Sequence, residues 1–286
     1  MTTLHRLFNS IKSDNIKIIA LVAMTIDHIA TAFSGVLPYG VAYIMHIIGR
    51  IAAPLFMYCL IIGMRYTKNR KKYFIRLYSA NLIIAFVCIP FAAMQSAPQV
   101  ISTYLYVFLY SVIAESVIRS IKDKKLLSAI KNLLIIVSIT IIPVLLDKTV
   151  FENISHAVFS TMGIEASAPL RTILRALIPN IWSIDYTLFF VLMGVMWYFS
   201  KNKYIVSGIL VLFSVISYLG TYKLGVDSFI SFFSANQFFM ILAAPIIMLH
   251  NENDRHNKSA FSKYFFYIYY PTHYMLLMAV SNCCML

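Results

Sequence analysis

The chain has 286 residues, of which 60% are apolar and only 12% are charged. A soluble domain carries about 25% charged and about 45–50% apolar residues, so a globule of this size has too little interior for the surplus apolar side chains. The composition therefore excludes a soluble enzyme, a disordered chain and a nucleic-acid-binding domain, despite a formal charge of +13. It predicts an integral membrane protein that crosses the bilayer many times.

Apolar stretches recur along the chain at about the 20-residue length that a helix needs to cross a bilayer. We predict an all-α, polytopic transmembrane helix bundle within a single membrane domain, residues 1–286. Nine spans are visible and a tenth is not excluded; the nine are 17–37, 41–63, 78–96, 100–118, 131–147, 183–200, 204–222, 229–249 and 264–282. Segment 148–182 is mixed in polarity, and we expect it to form interfacial helices on the outer side, with Arg171 and Arg175 on one helical face.

The distribution of the basic residues predicts a cytoplasmic N-terminus in the inner (cytoplasmic) membrane. With that orientation, 19 of the 24 Lys and Arg residues fall on inner segments, four fall on outer segments, and Arg50 lies within a span. Such a bias follows the positive-inside rule. We therefore interpret the positive charge as topological, with anionic lipid headgroups rather than nucleic acid as its partner.

Four ionisable residues lie near the predicted membrane midplane, where a charge costs several kcal/mol unless it is paired or hydrated. Helical rise places Asp27 and His28 about 15 Å into the first span, with Arg50 and His273 at similar depths in the second and last spans. An imidazole can act as a general base near neutral pH, and a guanidinium can stabilise a developing oxyanion. The layer predicts acyl transfer with His28 or His273 as the base, unless it is only a polar network that joins three helices.

Asp27 could orient His28, but adjacent residues of a helix point about 100° apart, so Asp27 could equally pair with Arg50. Two imidazoles and one carboxylate are few for a zinc site, and we expect no metal.

Other polar residues have weaker interpretations. Asn236 and Gln237 lie about 12 Å into the eighth span and could hydrogen-bond a substrate or another helix. Glu115 is expected to form a local ion pair with Arg119, four residues later. His46, near the outer face, is expected to be a hydrogen-bonded interface histidine rather than a catalyst.

Several uncommon motifs occur at both ends of the chain. Residues 16–33 read IKIIALVAMTIDHIATAF and residues 46–77 read HIIGRIAAPLFMYCLIIGMRYTKNRKKYFIRL; residues 237–254 read QFFMILAAPIIMLHNEND and residues 263–277 read KYFFYIYYPTHYMLL. Together, and in this order, they resemble the TraX family, whose namesake is the membrane acetyltransferase of F-pilin. The middle of the chain, about 80–228, is similar to the family only in hydropathy.

The resemblance implies acetyl transfer from cytoplasmic acetyl-CoA to the N-terminal amine of a membrane-inserted pilin, a reaction of conjugation. The chain also resembles the wider group of transmembrane acyltransferases, in which a basic residue, ten further residues and a histidine occupy the first span. Lys17 and His28 fit that spacing. The resemblance implies that Lys17 lies near the phosphates of the acyl-CoA, together with basic residues of segment 65–76 such as Arg65, Lys68 and Arg76.

We therefore expect a membrane-embedded acyltransferase whose acceptor, a peptide or pilin amine or a glycan or lipid hydroxyl, enters from the outer side. His28 is the expected base, His273 would polarise the acyl carbonyl or hold the acceptor, and Asp27 and Arg50 would have positioning roles. The alternative is a proton-coupled transporter or exporter that uses the same residues as a relay. A non-catalytic assembly partner of a conjugation or peptide-export machine is a third possibility.

Overall fold

The computed structural model describes residues 10–88, 100–162, 164–181, 187–222, 236–251 and 260–285. Within these ranges the chain is helical and forms no strand. The helices are α1 (Ser13–Ala32), α2 (Tyr39–Gly49), α3 (Ala52–Tyr66), α4 (Arg70–Cys88), α5 (Val100–Lys122), α6 (Leu126–Leu146), α7 (Glu152–Met162), α8 (Ile164–Leu177), α9 (Thr187–Phe199), α10 (Lys203–Tyr222), α11 (Ala243–Met248) and α12 (Ala260–Met285).

Five helical stretches among the described residues are long and apolar enough to cross a bilayer. They are Ser13–Ala32, Tyr39–Tyr66, Ser102–Lys122, Leu126–Met162 and Lys203–Tyr222. Large apolar side chains lie exposed along them, such as Leu127 at 82% and Leu134 at 60% exposure, as expected for a surface that faces lipid. The prediction of an all-α membrane protein is confirmed, whereas the count of nine or ten spans stays a prediction.

The second predicted span is interrupted at Arg50 and Ile51, between the end of α2 and the start of α3. Pro54 explains the interruption, because it has no N–H to donate to the carbonyl of Arg50 and its ring excludes a helical carbonyl at that position. The Leu55 N–H resumes the helical pattern by donating to the Ile51 carbonyl at 3.3 Å. The interruption places Arg50 between two helices rather than within one.

Two further predicted spans differ in length from the structure. The fifth, predicted over 131–147, is part of a longer helical stretch that runs from α6 through a π-helical turn at Asp147–Phe151 to the end of α7. The eighth, predicted over 229–249, contains a 3-10 helix at Gln237–Leu242 followed by α11, and its first residues lie outside the described part of the chain.

The chain divides into two compact units. The first combines both ends of the chain, residues 1–66 and 196–286, and the second contains residues 67–195. In the first unit α1 packs against α2, α3 and α12, and Ala23, Met24 and Ala52 form a buried cluster there with Tyr269 and Tyr270 packed against it. The expectation of a single membrane domain over residues 1–286 stays a prediction.

A buried carboxylate organises the second unit. The guanidinium of Arg175 donates from Nε and NH2 to the two oxygens of Asp147 at 2.9 and 3.0 Å, and the side-chain amide of Asn180 donates to Oδ2 at 3.0 Å. Such a bidentate pair is geometrically specific. It joins α8, from the predicted interfacial segment 148–182, to the π-helical turn, while the interfacial location of that segment stays a prediction.

Candidate functional site

Two histidines from opposite ends of the chain meet in the first unit. Nδ1 of His28 in α1 lies 2.8 Å from Nε2 of His273 in α12, and the two rings are parallel within 1°. The other ring nitrogen of His273, Nδ1, lies 2.9 Å from the carbonyl oxygen of Tyr269 one turn earlier. We call His28 and His273 the histidine pair.

The contact with Tyr269 assigns the tautomers of the histidine pair. A carbonyl oxygen only accepts, so Nδ1 of His273 carries the hydrogen, and its Nε2 in the neutral ring is an acceptor. Nδ1 of His28 must then donate to it. Nε2 of His28 therefore holds the lone pair, and no side chain or backbone group in the described part of the chain hydrogen-bonds to it. This nitrogen is an available base.

Aromatic side chains of α12 surround the histidine pair and limit its rotation. The Tyr269 ring stacks on His273 with centroids 5.0 Å apart, while Tyr270 and Tyr274 meet the His28 ring edge-on at 6.1 and 5.6 Å. The Tyr269 hydroxyl is itself held, at 3.0 Å from the Thr25 hydroxyl of α1. These contacts fix the direction in which Nε2 of His28 points.

Asp27 contacts a different helix from its neighbour His28. Its Oδ1 lies 2.8 Å from Nδ1 of His46 in α2, and NH2 of Arg50 lies 3.9 Å from the same oxygen. A carboxylate accepts, so Nδ1 of His46 carries the hydrogen and Nε2 of His46 holds the lone pair. The predicted pairing of Asp27 with Arg50 is thus present as a longer contact, and His46 is the closer partner.

Gly49 makes the contact between Asp27 and α2 possible. A Cβ atom at this position would lie 2.5 Å from Cγ and from Oδ1 of Asp27, which is far inside van der Waals contact. Because glycine has no side chain, the α2 backbone can approach α1 closely enough for Asp27 to reach His46.

Arg50 also contacts a residue of the predicted eighth span, Gln237. Its NH1 donates to Oε1 of Gln237 over 3.4 Å, a long hydrogen bond, and Gln237 is fully buried. Nε of Arg50 and Oδ1 of Asn236 are both buried without a hydrogen-bond partner. Buried polar atoms are normally paired, so these two atoms are available to a bound molecule.

The structure therefore divides the predicted midplane layer into two hydrogen-bonded groups on different sides of α1. The histidine pair is one, and Asp27 with His46 and Arg50 is the other. His46, expected to be an interface histidine, is part of the second group. Its sequence position gave a usable signal, because it precedes Arg50 by four residues, about one helical turn.

A fourth histidine, His250, is buried near the start of α1. It is 4% exposed, its Nε2 lies 2.9 Å from the Ser13 hydroxyl, and its Nδ1 lies 2.9 Å from the Tyr58 hydroxyl. The ammonium of Lys203 donates to its carbonyl oxygen at 2.6 Å. Backbone hydrogen bonds of Ile11 with both neighbours of His250 complete the contact, so this group ties the two ends of the first unit together.

Sequence comparisons place these residues in a known family. The family model for the TraX protein matches residues 12–154, half of the chain. The chain belongs to the TraX family. No curated protein and no solved structure matches it.

The TraX match includes one member of the histidine pair and the whole of the second group. It spans His28, Asp27, His46 and Arg50, and it ends well before His273. The contact with His273 is therefore a finding of the structure, and it agrees with the C-terminal motif through which the sequence resembles this family.

Lys17 and Arg65, two of the residues predicted to bind the donor, lie in the first unit. The ammonium of Lys17 donates to Oδ1 of Asp14 at 2.8 Å, and Lys17 occupies the same helix as His28, about 16 Å below it by helical rise. NH2 of Arg65 donates to the backbone carbonyls at the end of α9, including that of Trp197 at 2.6 Å. This guanidinium thus caps a helix C-terminus.

The other two predicted donor residues lie in the second unit. Lys68 is exposed, and Arg76 donates from Nε to the Lys72 carbonyl at 3.2 Å with its guanidinium over the Tyr73 ring. Donor binding by these residues, or by Lys17 and Arg65, stays a prediction.

The prediction for Glu115 is confirmed. Its Oε1 accepts from Arg119 at 3.2 Å, and Arg70 adds a second contact, to Oε2 at 2.9 Å. Among the residues that the structure describes, no group of three His, Cys, Asp or Glu side chains could hold a metal ion.

Proposed function

We propose that this TraX-family protein is an acetyltransferase of the inner membrane, which moves an acetyl group from cytoplasmic acetyl-CoA to an amine at the outer side. The observation that carries the proposal is the chain from the Tyr269 carbonyl through the histidine pair to a free Nε2 on His28. Family membership supports the same reaction class. A free and oriented imidazole nitrogen is what a general base for acyl transfer requires.

The reaction follows from the tautomers. The acceptor nitrogen attacks the carbonyl carbon of the acetyl thioester while Nε2 of His28 removes its proton. The tetrahedral intermediate then collapses, the C–S bond breaks, and the imidazolium of His28 returns the proton to the coenzyme A thiolate. His273 stabilises the imidazolium through the 2.8 Å contact, so we assign it a positioning role rather than contact with the acyl carbonyl.

The basic residues near the expected cytoplasmic side complete the proposal. Lys17 lies below His28 on the same helix, where a cation suits the phosphates of an incoming acyl-CoA. Arg65, in the same unit, is a further proposed donor contact, while donor binding by Lys68 and Arg76 stays a prediction from the sequence. Nε of Arg50 and Oδ1 of Asn236 are buried without a hydrogen-bond partner, and Gln237 holds Arg50 only by a long hydrogen bond. These side chains therefore offer hydrogen-bonding groups to the acceptor.

The test uses purified protein in detergent, radiolabelled acetyl-CoA and a peptide with a free N-terminus. His28→Asn retains an amide N–H that can donate to His273 but has no basic nitrogen. We expect its acetyl transfer to fall by about 10²- to 10⁴-fold, the usual contribution of a general base. His156→Asn, at an exposed position of α7 in the second unit, is the matched control and should retain the wild-type rate.

Two results would contradict the proposal. Equal rates for the His28→Asn and control variants would remove His28 from the chemistry. If the wild-type protein neither binds nor consumes acetyl-CoA, the transporter alternative gains support, since a proton relay through the same residues needs no thioester.

A further inference from the structure

The proposed reaction has a proton requirement that one histidine does not meet. N-terminal amines have pKa values of about 7.7–8.0 and lysine amines of about 10.4, so both arrive mostly as ammonium ions at pH 7. An ammonium nitrogen has no lone pair and must lose one proton before it attacks. It loses a second proton as the C–N bond forms, which is the proton that His28 removes in the proposed function, on which this inference rests.

The second group of the site contains an imidazole suited to the first proton. Nδ1 of His46 is committed to Asp27 at 2.8 Å, and Nε2 has no hydrogen-bond partner among the described residues. The side chains of His46 and Asp27 are 27% and 23% exposed, so a small group can reach them. We propose that His46, oriented by Asp27, is a second base that receives and deprotonates the ammonium group of the acceptor.

The charges around His46 favour this role. Asp27 provides a negative charge that attracts an ammonium ion and stabilises the imidazolium formed when His46 takes its proton. Among the described residues, Arg50 also faces the pair, with NH2 3.9 Å from the same carboxylate oxygen. A histidine held by a carboxylate through Nδ1 has its ring direction and tautomer fixed, as a general base requires.

The two histidines then account for every proton. The ammonium gives one proton to His46 and becomes a neutral amine, which attacks the acetyl thioester. His28 moves the second proton from nitrogen to the departing sulfur, giving the amide and free coenzyme A. The imidazolium of His46 finally releases its proton to water, so one proton leaves per acetyl group transferred.

The inference specifies the acceptor as an alkyl amine. A hydroxyl acceptor carries one proton on its oxygen, and His28 alone can remove it. The Asp27–His46 pair would then have no role in the reaction. Asp27 would also offer an uncharged hydroxyl no electrostatic advantage. An amine that arrives as a cation uses both the carboxylate and the second base.

The test compares two acceptors at pH 7: a short peptide with a free N-terminal amine, which is mostly protonated, and an aromatic amine, which is uncharged. His46→Asn retains an N–H that can donate to Asp27 but has no basic nitrogen. We expect it to lower the ratio of the peptide rate to the aromatic-amine rate by about tenfold, because only about a tenth of the N-terminal amine is already neutral at pH 7. His28→Asn should lower both rates together and leave the ratio near the wild-type value.

A change of pH provides a second readout. At pH 9 the N-terminal amine is mostly neutral, so the ratio for His46→Asn should recover towards that of the wild type. Asp27→Asn, which weakens the second base without removing it, should lower the ratio at pH 7 in the same direction. If His46→Asn does not fold, the Asp27→Asn ratio decides.

The outcomes separate the two proposals. Transfer by the wild-type protein with a ratio that neither variant changes would overturn the second base alone. Absence of transfer to either acceptor by the wild type would overturn the proposed function, and this inference with it.

Discussion

At the scale of single residues, one backbone carbonyl determines the state of both members of the histidine pair. The Tyr269 oxygen accepts from His273, and His273 consequently accepts from His28. Serine proteases show how much such an arrangement matters, because a wrong tautomer of the base lowers kcat by about 10⁴-fold there. His273 should therefore affect catalysis through His28 rather than through the substrate.

Substitutions of His273 test this positioning role. In His273→Gln the amide oxygen can still accept from Nδ1 of His28, whereas His273→Leu offers no acceptor. We expect kcat to fall by about 10²-fold or more in His273→Leu, with the KM for acetyl-CoA little changed. His273→Gln should retain at least about ten times the activity of the Leu variant. Equal losses in the two variants, or a change in KM alone, would count against the tautomer assignment.

Part of the site could be predicted from single residues, because a charged or imidazole side chain is costly within a membrane. Asp27, His28, Arg50 and His273 stood out because charge and imidazole are costly at the midplane, and the structure uses all four in hydrogen bonds or ion pairs. The partner of Asp27 was not predictable in the same way. His46 reaches it only because α2 turns that face towards α1, which is a property of tertiary packing.

At the scale of helices, the approach of α2 to α1 depends on the absence of one side chain. The position of Gly49 against Asp27 leaves no room for a methyl group. Interiors are close-packed, so an added atom forces a backbone shift rather than a small local adjustment. Such a shift would separate Asp27 from His46.

Gly49→Ala should therefore destabilise the protein by about 1–3 kcal/mol and reduce acetyl transfer to a peptide amine. Gly40→Ala in the same helix is the matched control, because nothing lies within 4 Å of its added Cβ. Alanine is the better helix former by up to about 1 kcal/mol, so the control should be neutral or slightly stabilised. Thermal unfolding in detergent measures both effects, and similar shifts for the two variants would contradict the close approach.

The hydropathy of the sequence predicted where the helices lie, but it did not predict where they are interrupted. The apolar runs locate α1, α5 and α10 within several residues. The break after α2 and the 3-10 helix before α11 arise from Pro54 and Pro245, whose missing N–H groups act four residues upstream. Pro54 lies four residues after Arg50 in the second apolar run. Counting four residues back from this proline would therefore have predicted the helix interruption at Arg50.

At the scale of the whole molecule, the charge distribution predicts the orientation. The chain reversal between α5 and α6 and the short connection between α9 and α10 lie at predicted cytoplasmic positions, while the start of α2 lies at a predicted outer one. Asp123 and Asn202 are exposed in those inner connections, and Tyr39 is 83% exposed at the outer one. These three positions suit surface labelling.

Single cysteines in a cysteine-free background test the orientation. In intact cells, a membrane-impermeant maleimide should label Tyr39→Cys and should not label Asp123→Cys or Asn202→Cys. Permeabilised cells should allow labelling of all three variants, which controls for reactivity. The reverse pattern in intact cells would invert the predicted topology and move the amine acceptor to the cytoplasmic side.

The discontinuous first unit has a consequence for biosynthesis. Nδ1 of His28 and Nε2 of His273 belong to residues 245 positions apart in the chain, so the ribosome must synthesise all of the intervening helices before the pair can form. Until α12 inserts, His28 has no partner to set its tautomer. A nascent chain without α12 therefore lacks the contact that orients the proposed base, and the order of membrane insertion sets when this part of the site can form.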